Sequence, residues 1–464
     1  MANSRLTRNI SSGSTTNKFT LSFWIKKSAT HTNDEWLFEN YNSGSARTWV
    51  RFNLDTGNPR LEVSEYTGSY VFRKITNRVF RDVGAYYHIH IEFNSTLWTE
   101  ADRLKIYING VQETSFALTN HPAQNATSII ANTGNQHIGY SENIGGAYFS
   151  GYMSHTAFVQ GSALAPTVFG ETDSTSGIWK FKSPSGVTWG TNGFHLKFEN
   201  SAALGTDSSG NSNTFTVNGN LRQALDTPSN VYATWNANLR PNSTASFAYG
   251  NTAQTTNSSH QADVTASGFT TLGMTKGKWY AEFKMNAAAH TLLGVSCDIN
   301  SNQQGSTGSM YSFIYNNKGF AYYSQDGRAA YNNGSNQFVT YGNTYATGDI
   351  IGIALDLDNY KLYFSKNGVW QNSGDPTSGS TGTGSTEAAG TPALPTFTGD
   401  NEYFFCHADY DQAAQSQVFA NFGNGYFGTT AITSAGSNGN GSLFEYDVPS
   451  GYYALNTKNI NTYG

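Results

Sequence analysis

The chain has 464 residues and a formal net charge of −5, and only 13% of its side chains are charged. That share is about half the roughly 25% of an average protein, whereas Asn, Ser and Thr together fill nearly a third of the positions. This composition excludes a long coiled coil and a nucleic-acid binder that neutralises phosphates with basic residues. Because 14% of the residues are aromatic, it also excludes a disordered chain and leaves a polar β protein of two or three domains.

The first part of the chain alternates apolar and polar residues, as half-buried strands do. FTLSFWIKK from Phe19, HIHIEF from His88 and LKIYINGV from Leu104 show this period. Asn109-Gly110 follows the last run, and both residues tolerate the positive φ angles that a tight hairpin turn requires. Short strands separated by such turns predict a β-sandwich.

A second set of strands begins near Lys278 with KWYAEFKM. Residues 350–357 form a nearly continuous apolar run, which suits a central strand, and Asp358-Asn359 and Asn367-Gly368 then predict two tight turns. This set predicts a second sandwich. Within it, the Gly/Ser/Thr-rich stretch 372–395 is expected to be a mobile excursion, because it offers little apolar surface to bury.

The predicted fold class is all-β, with two jelly-roll-like β-sandwich domains in tandem joined by a loop-rich linker. No segment has the pattern of a long amphipathic helix. The predicted segments, in chain order, are an N-terminal arm (1–17), a first sandwich (18–199), a loop-rich linker (200–260), a second sandwich (261–425) and a C-terminal tail (426–464).

The second set of strands carries a family pattern. GKWYAEFKM, LLGVS, GDIIGIALDLDNYKLYFSKNGVW and, at 418–423, VFANFG resemble the SPRY domain in their order, spacing and turns. That resemblance implies a bent β-sandwich that serves as an interaction module, with its partner surface built by loops.

The first set resembles a laminin-G or concanavalin-A-like jelly roll through FTLSFWIKK (19–27), LKIYINGVQ (104–112) and GYMSHTAFVQGSALAP (151–166). The joining segments FGETDSTSGIW (169–179) and NGFHLKFENSAALGTDSSGNSNTFTVNG (192–219), with the terminal GYYALNTKNI, are similar to parts of tailed-phage structural proteins. Such proteins carry a jelly roll followed by a SPRY domain and are typically tail fibres or other virion surface proteins. The resemblance therefore implies a host-facing protein on the extracellular surface of a virion.

The start of the chain fits that location. It has no apolar stretch of the signal-peptide kind, and no run approaches the roughly 18 apolar residues of a membrane span. We expect synthesis in the host cytoplasm without a signal peptide, no membrane insertion and no nucleic-acid partner. The expected partners are other virion proteins, a glycan or protein of the host cell surface, and further copies of the chain in a homo-oligomer.

The sequence offers no carboxylate pair of the glycosidase kind. A retaining enzyme holds two carboxyl groups about 5 Å apart, but Glu62 and Glu65 are three positions apart, so a strand sends them to opposite faces. Cys297 and Cys406 lie in apolar runs and are expected to be buried free thiols, with a single bridge between them as the alternative. We therefore expect a protein that is not an enzyme.

Candidate metal ligands are sparse. His88 and His90 share a strand face, but zinc needs three or four ligands, so we expect an exposed or groove-lining face. The loop DSSGNSN has oxygen ligands at alternate positions, as calcium loops do, but Asn218 stands at the twelfth position instead of a carboxylate. No cofactor is expected. Calcium binding is kept open, beside a plain hydrogen-bonded turn, at Asp207, Ser209, Asn211 and Asn213.

Binding is better supported than catalysis. Sugars present apolar faces edged with hydroxyl groups, and aromatic rings with uncharged polar neighbours fit both features. The candidate ligand-binding residues are predicted loop aromatics and polar residues near them, each with core or loop packing as the competing interpretation. They are Trp36, Tyr41, Tyr311, Asp326, Tyr331, Asn332, Asn333, Tyr341 and Trp370.

The predicted function is therefore that of a phage virion structural protein, part of a tail fibre or a similar appendage, that attaches to the host by binding a receptor. A cell-surface glycan is the expected receptor. Two alternatives stay open: a capsid decoration or connector protein with a purely structural role, and a polysaccharide depolymerase.

Overall fold

The computed structural model describes residues 4–28, 33–54, 57–239, 245–256, 268–299, 313–314, 317–399, 401–410 and 415–464. The chain divides into two compact units. The first comprises the chain up to Gln223 with Thr227–Ser229, and the second comprises Ala224–Asp226 and the chain from Asn230 onwards. Among the described residues no helix has the length and apolar character needed to cross a membrane.

The first unit is a sandwich of an eight-stranded and a six-stranded sheet with antiparallel pairing, as its alternating sequence predicts. The strand orders are β10-β6-β5-β4-β3-β11-β1-β16 and β15-β12-β2-β7-β8-β9, and β13 pairs separately with β14. The strands are β1 (Arg5–Ile10), β2 (Lys18–Lys27), β3 (Glu35–Ser43), β4 (Ala46–Asn53), β5 (Arg60–Thr67), β6 (Tyr70–Val79), β7 (Tyr87–Asn94), β8 (Leu104–Ile108), β9 (Val111–Gln112), β10 (Phe116–Asn120), β11 (Gly134–Ile138), β12 (Gly151–Gln160), β13 (Gly170–Thr172), β14 (Trp179–Phe181), β15 (Phe194–Leu196) and β16 (Thr216–Asn218).

Alternate residues of both sheets form the core of the first unit. Leu21 and Phe23 of β2 meet Val50 and Phe52 of β4 in one buried cluster, because every second side chain of a strand points to the same face. The remaining side chains of each strand form an outer face. These two outer faces, one on each sheet, decide where a ligand could reach the first unit.

The second unit has the same two-sheet plan. Its larger sheet has the order β17-β18-β29-β20-β25-β26-β27, with β32 parallel to β20, and its smaller sheet has the order β19-β28-β21-β22-β23-β24. The elements are β17 (Ser246–Ala248), β18 (Ala253–Thr255), β19 (Gly268–Phe269), β20 (Lys278–Ala287), β21 (Thr291–Ser296), β22 (Gly319–Tyr323), β23 (Arg328–Asn332), β24 (Asn336–Thr340), β25 (Ile350–Asp356), β26 (Lys361–Lys366), β27 (Val369–Trp370), β28 (Phe404–Asp409), β29 (Gln417–Asn421), β30 (Tyr426–Phe427), β31 (Thr430–Ala431), β32 (Tyr453–Ala454) and the helix α1 (Thr457–Tyr463).

The predicted arm and linker differ from the structure. The arm contains β1, which lies inside the large sheet between β11 and β16 and buries Leu6 and Ile10. The linker contains β16, whose Val217 pairs with Leu6. Both strands were missed because they are short: RLTRNI has six residues and TVN has three. Alternation over so few residues is a weak signal for a strand.

The predicted tail also differs, because it packs on the second unit. Phe444, Val448 and Tyr452 are buried there beside Tyr280. The buried carboxylate of Glu282 accepts hydrogen bonds from the backbone N–H groups of Glu445 (2.8 Å) and Tyr446 (2.8 Å). Residues 426–464 are therefore part of this sandwich.

The Gly/Ser/Thr-rich stretch 372–395 is packed, contrary to the expectation of a mobile excursion. Its Pro376 and Leu394 are buried, and the Asp375 carboxylate accepts from the Thr377 N–H at 2.9 Å. The Tyr452 hydroxyl donates to the Pro376 carbonyl at 2.9 Å. Local side-chain hydrogen bonds thus order a segment that has little apolar surface.

The predicted tight turns and free thiols are confirmed. Asn109 and Gly110 have φ angles of 50° and 78°, and Asn367 has 49°. The Asp356 carboxylate accepts from the N–H groups of Asp358 (3.0 Å) and Asn359 (3.0 Å), which closes the other predicted turn. Both cysteines are buried and free.

Candidate binding face

Two of the predicted contact residues are core residues instead. Trp36 lies within β3 and is only 4% exposed, packed with Trp49 and Ala147. Tyr341 is also 4% exposed, and its hydroxyl accepts from the Phe364 N–H at 3.0 Å inside the second unit. The sequence suggested loops because turn residues lie nearby, but aromatic rings this large are usually buried.

The remaining predicted residues of the second unit are spread over one hairpin and a separate edge. Tyr331 is half-buried and stacks on Phe320, with ring centroids 6.4 Å apart, and Trp370 is half-buried against Tyr280 (6.4 Å). In the hairpin, Asp326 forms an ion pair with Arg328, Asn332 is buried and Asn333 is exposed. Tyr311 lies outside the described residues.

The candidate calcium loop is closed by hydrogen bonds. Both oxygens of the Asp207 carboxylate accept from protein donors: the N–H groups of His195 (2.9 Å), Ser209 (2.9 Å) and Asn213 (2.8 Å) and the Ser209 hydroxyl (2.8 Å). The Asn211 amide donates to the Gly190 carbonyl at 2.6 Å. This geometry is that of an Asx turn, which is closed by hydrogen bonds from the backbone to the aspartate side chain. Among the described residues, no group of three or more His, Cys, Asp or Glu side chains could hold a metal ion.

The face that carries His88 and His90 is covered, which corrects the expectation of an exposed or groove-lining face. Both side chains are fully buried. The His88 ring stacks between Trp24 (4.6 Å) and Trp179 (5.9 Å), and the Trp179 indole N–H donates to Nδ1 of His88 at 3.0 Å. Residues 164–189, which we call the strap, run across this outer face of the six-stranded sheet.

The two glutamates of β5 point to opposite faces, as their spacing predicts. Glu65 points inward, where its carboxylate accepts from the Thr48 hydroxyl at 2.6 Å, and burial raises its pKa to about 7. Glu62 points outward and forms ion pairs with Arg51 (2.7 Å) and Arg73 (2.9 Å). These charges lower the pKa of Glu62, although its burial alone would raise it.

The outer face of the eight-stranded sheet carries a row of polar and aromatic side chains across six neighbouring strands. The backbone register aligns one residue from each strand on this face, and successive members are direct cross-strand partners. With strands about 4.8 Å apart, the row is roughly 24 Å long. We call it the transverse row; its members are Asn9, Asn135, Tyr41, Arg47, Tyr66 and Tyr70.

Every member of the transverse row reaches solvent. Asn9 is exposed, Tyr70 is 40% exposed, and the four members between them are half-buried. The Tyr66 and Tyr70 rings meet edge to face, with centroids 5.3 Å apart. The row therefore combines aromatic rings, amides and one guanidinium on an accessible surface, and predicted residue Tyr41 belongs to it.

Buried groups beneath the row hold it in place. The Arg47 guanidinium carbon lies 4.8 Å from the Trp49 ring centroid, and the Trp49 ring lies 6.2 Å from that of Tyr70. The Arg73 guanidinium covers Tyr70 at 4.9 Å while its Nε binds Glu62. Within the described part of the chain, no carboxylate lies within ion-pair distance of Arg47, although its charge acts at longer range on the buried Glu39.

Sequence reasoning missed Arg47, Tyr66 and Tyr70. A signal for them was present, because ARTWVRFN and RLEVSEYT alternate in the strand period. Pairing the two runs through the turns at their ends would have aligned Arg47 with Tyr66. These residues lie within strands and not in loops, so a criterion based on loop aromatics does not select them.

The first part of the chain matches a known superfamily. Residues 3–168 match the sequence profile of the concanavalin A-like lectin/glucanases superfamily. The first unit thus has the expected concanavalin-A-like jelly-roll fold. The comparison with curated proteins gave no match.

Solved structures similar to this chain have low overall agreement with it. The SPRY domain of human HERC1 is 17% identical, with 36% of this chain and 86% of that chain covered and a TM-score of 0.25. A heptameric SAP-like pentraxin from Limulus polyphemus is 19% identical (35% and 71% covered, TM-score 0.25). Domain 4 of the arabinanase AbnA from Geobacillus stearothermophilus, solved with arabinotriose, is 17% identical (35% and 68% covered, TM-score 0.26). The structure is a mostly-β chain of tandem sandwiches, one of them of the concanavalin-A-like class.

Proposed function

We propose that this chain is a carbohydrate-binding adhesion protein whose transverse row contacts a glycan. The observation that carries the proposal is the in-register row of three tyrosines, two asparagines and one arginine on an accessible sheet face. The concanavalin-A-like fold of residues 3–168, shared with lectins and glucanases, supports the same ligand class.

The chemistry of the row suits a sugar. Tyrosine rings offer apolar surface to the C–H faces of a pyranose, and their hydroxyl groups bind its edge. The Asn9 amide donates to Asn135 Oδ1 at 2.9 Å, and the Asn135 amide donates to Glu142 at 3.0 Å. Each amide group has more than one donor and acceptor position, so the remaining positions can match sugar hydroxyl groups at this end of the row. The Nε atom of Arg47 is buried, but the N–H groups of its two terminal nitrogens lie at the middle of the row, where an acidic or a hydroxyl-rich sugar would accept from them.

We place this protein on the virion of a tailed phage, in a tail fibre or a similar host-facing appendage. The resemblance of the joining segments 169–179 and 192–219 to tailed-phage structural proteins supports this placement. The assignment of the second sandwich to the SPRY family is part of the same proposal. We expect the chain to be detected on the surface of purified particles. Antibody against it should block attachment of the particles to the host cell.

A glycan array tests the binding proposal. The full chain is expected to retain immobilised host-envelope glycans, and Tyr70→Ala and Tyr66→Ala should each weaken binding about tenfold. The matched control is Tyr249→Ala in the second unit, where the tyrosine is 45% exposed; this variant should bind as the wild type does. No retention by the wild type, or equal losses in all three variants, would contradict the proposal.

The two alternatives predict other outcomes. A capsid decoration or connector protein would show the transverse row buried against neighbouring subunits in a particle map. A depolymerase would release oligosaccharides from host polysaccharide on incubation with the purified protein. Either result would replace the adhesion proposal.

A further inference from the structure

The most exposed large apolar side chain of the described residues is Trp98. Its exposed fraction is 85%, and it lies in the connection between β7 and β8 of the first unit. A tryptophan ring in water costs free energy that a buried ring would not, roughly in proportion to its exposed apolar area. Tryptophan is among the residues that most often carry the binding energy of an interface, so Trp98 is suited to be a contact residue.

The backbone that carries Trp98 is held by a single side chain. The Arg103 guanidinium donates three hydrogen bonds to carbonyl oxygens, those of Leu97 (2.8 Å), Trp98 (2.7 Å) and Pro122 (3.0 Å). Three donors in the fixed plane of one guanidinium restrict the loop in several directions at once. Trp98 is thus presented on an ordered loop, which lowers the entropy cost of using its ring for binding.

The neighbouring loop has no Lys, Arg, Asp or Glu of its own, although the Arg103 guanidinium binds its Pro122 carbonyl. That loop, residues 121–127, is fixed by the Asn125 N–H, which donates to the Ser95 carbonyl at 2.9 Å, and by the Ser95 hydroxyl, which donates to the Ala126 carbonyl at 2.6 Å. Gln124 and Asn125 are both exposed there. An aromatic ring beside exposed amides repeats the chemistry of the transverse row.

The two sites are linked through the same loop. The Asn120 amide donates to the Tyr70 carbonyl at 3.2 Å, which joins the last strand of the sheet to the end of the transverse row. Two residues further on, Pro122 accepts from Arg103, which also holds Trp98. A dipeptide step spans at most about 7 Å, so a short and hydrogen-bonded path connects the Tyr70 end of the row to Trp98.

We infer that Trp98 is a second stacking site for the glycan of the transverse row, so that the ligand is a polysaccharide chain bound along its length. This inference rests on the proposed function. A terminal sugar or a disaccharide would occupy the row alone, whereas a longer chain leaving the row past Tyr70 would reach Trp98. Affinity should then rise with chain length, and Trp98 should account for that rise.

A chain-length series tests the inference. The probes are malto-, cello-, xylo- and arabino-oligosaccharides from disaccharide to octasaccharide, and size fractions of any envelope polysaccharide retained on the array, titrated into the full chain. Trp98→Ala should weaken binding of the longest probe about tenfold and leave the disaccharide within about twofold of wild type. Trp98→Phe, which keeps an aromatic ring, should restore most of the loss. The matched control is Ile178→Ala, at a side chain that is 66% exposed. It should change the affinity for neither the disaccharide nor the longest probe.

The outcomes separate this inference from the proposed function. If Tyr70→Ala weakens all lengths while Trp98→Ala matches wild type at every length, the row binds glycan and the second site is wrong. If Trp98→Ala weakens short and long probes equally, the length argument is wrong. If no probe binds the wild type, both proposals fail.

Discussion

The two outer faces of the first unit both carry aromatic and polar side chains, but another segment of the chain covers only one of them. The face of the six-stranded sheet bears Trp24, His88 and His90, all buried beneath the strap. The face of the eight-stranded sheet bears the three tyrosines, two asparagines and one arginine of the transverse row, which reach solvent. Aromatic and polar side chains on an outer face are therefore buried on one sheet and form a candidate binding face on the other. The difference is that the strap, which is distant in sequence, covers only the six-stranded sheet.

The covered face is a stack of histidines and aromatic rings. Phe181 of the strap stacks on His155 with centroids 3.6 Å apart, and Trp189 stacks on His195 at 5.4 Å. The His90 ring donates from Nε2 to the Leu164 carbonyl at 2.8 Å. Each of these histidines is packed as a neutral ring, so the strap depends on their protonation state.

Acid should have the largest effect on the covered face, because protonation of its buried histidines destabilises it. Burial lowers the pKa of His90 to about 4, that of His155 to about 3 and that of His195 to about 4, and it lowers that of His88 well below its usual value. As the pH falls, the histidines of the unfolded chain are protonated near pH 6.5. Those of the folded chain are protonated only at a lower pH. Stability is thus complete above that pH and falls by roughly 1.4 kcal/mol per histidine per pH unit as the solution is acidified.

Two buried carboxyl groups oppose this loss over part of the range. Burial raises the pKa values of Glu39 and Glu65 to about 7, so their protonation stabilises the fold as the pH falls from about 7 to about 4.5. Below about 4.5 that gain is complete and the histidines act without it. The protection factors of residues 164–189 in hydrogen exchange, which are corrected for the slower intrinsic exchange in acid, should therefore fall moderately to about pH 5 and steeply below it. Protection that stays constant down to about pH 4 would contradict the account.

Removal of one ring from the strap should have the next largest effect. Trp179→Ala takes away the ring that stacks on His88 and the N–H that satisfies its Nδ1. The expected loss in the free energy of unfolding is about 3 kcal/mol by urea denaturation. The matched control is Trp98→Ala, the same substitution at an exposed site, which should cost no more than about 0.5 kcal/mol. Equal losses in the two variants would remove the distinction between covered and open aromatic residues.

The smallest stability effect is expected on the open face. Tyr70→Ala should lower the free energy of unfolding by about 0.5 kcal/mol, because the ring is 40% exposed and its neighbours Trp49 and Arg73 keep their contacts with Arg47 and Glu62. Its effect on glycan affinity should be the larger one. A loss of several kcal/mol by urea denaturation would show that Tyr70 serves packing and not binding.

Much of the architecture could be predicted from local patterns. Alternation predicted strands such as β2, β7 and β20, and Asn-Gly pairs predicted hairpins with the observed positive φ angles. The packed conformation of residues 372–395 could not be predicted from local patterns. It depends on hydrogen bonds to groups distant in sequence, such as the Tyr452 hydroxyl.

The candidate site was less predictable, for a physical reason. Alternation assigns a side chain to the inner or outer face of a sheet, but it carries no information on whether a remote segment covers that face. His88 was therefore expected in an open position and Trp36 in a loop, while both are buried. Tyr41 was identified, but its partners Arg47 and Tyr66 come from strand register, which only the pairing of three strands reveals.

The most direct test of glycan binding by the transverse row is a crystal structure of the full chain with a glycan retained on the array. Sugar rings should lie against Tyr66 and Tyr70, with hydroxyl or carboxylate oxygens at Arg47. A longer ligand should continue towards Trp98. Sugar bound instead at the Asp326–Asn333 hairpin of the second unit, or an empty transverse row in a complex of measured affinity, would contradict it.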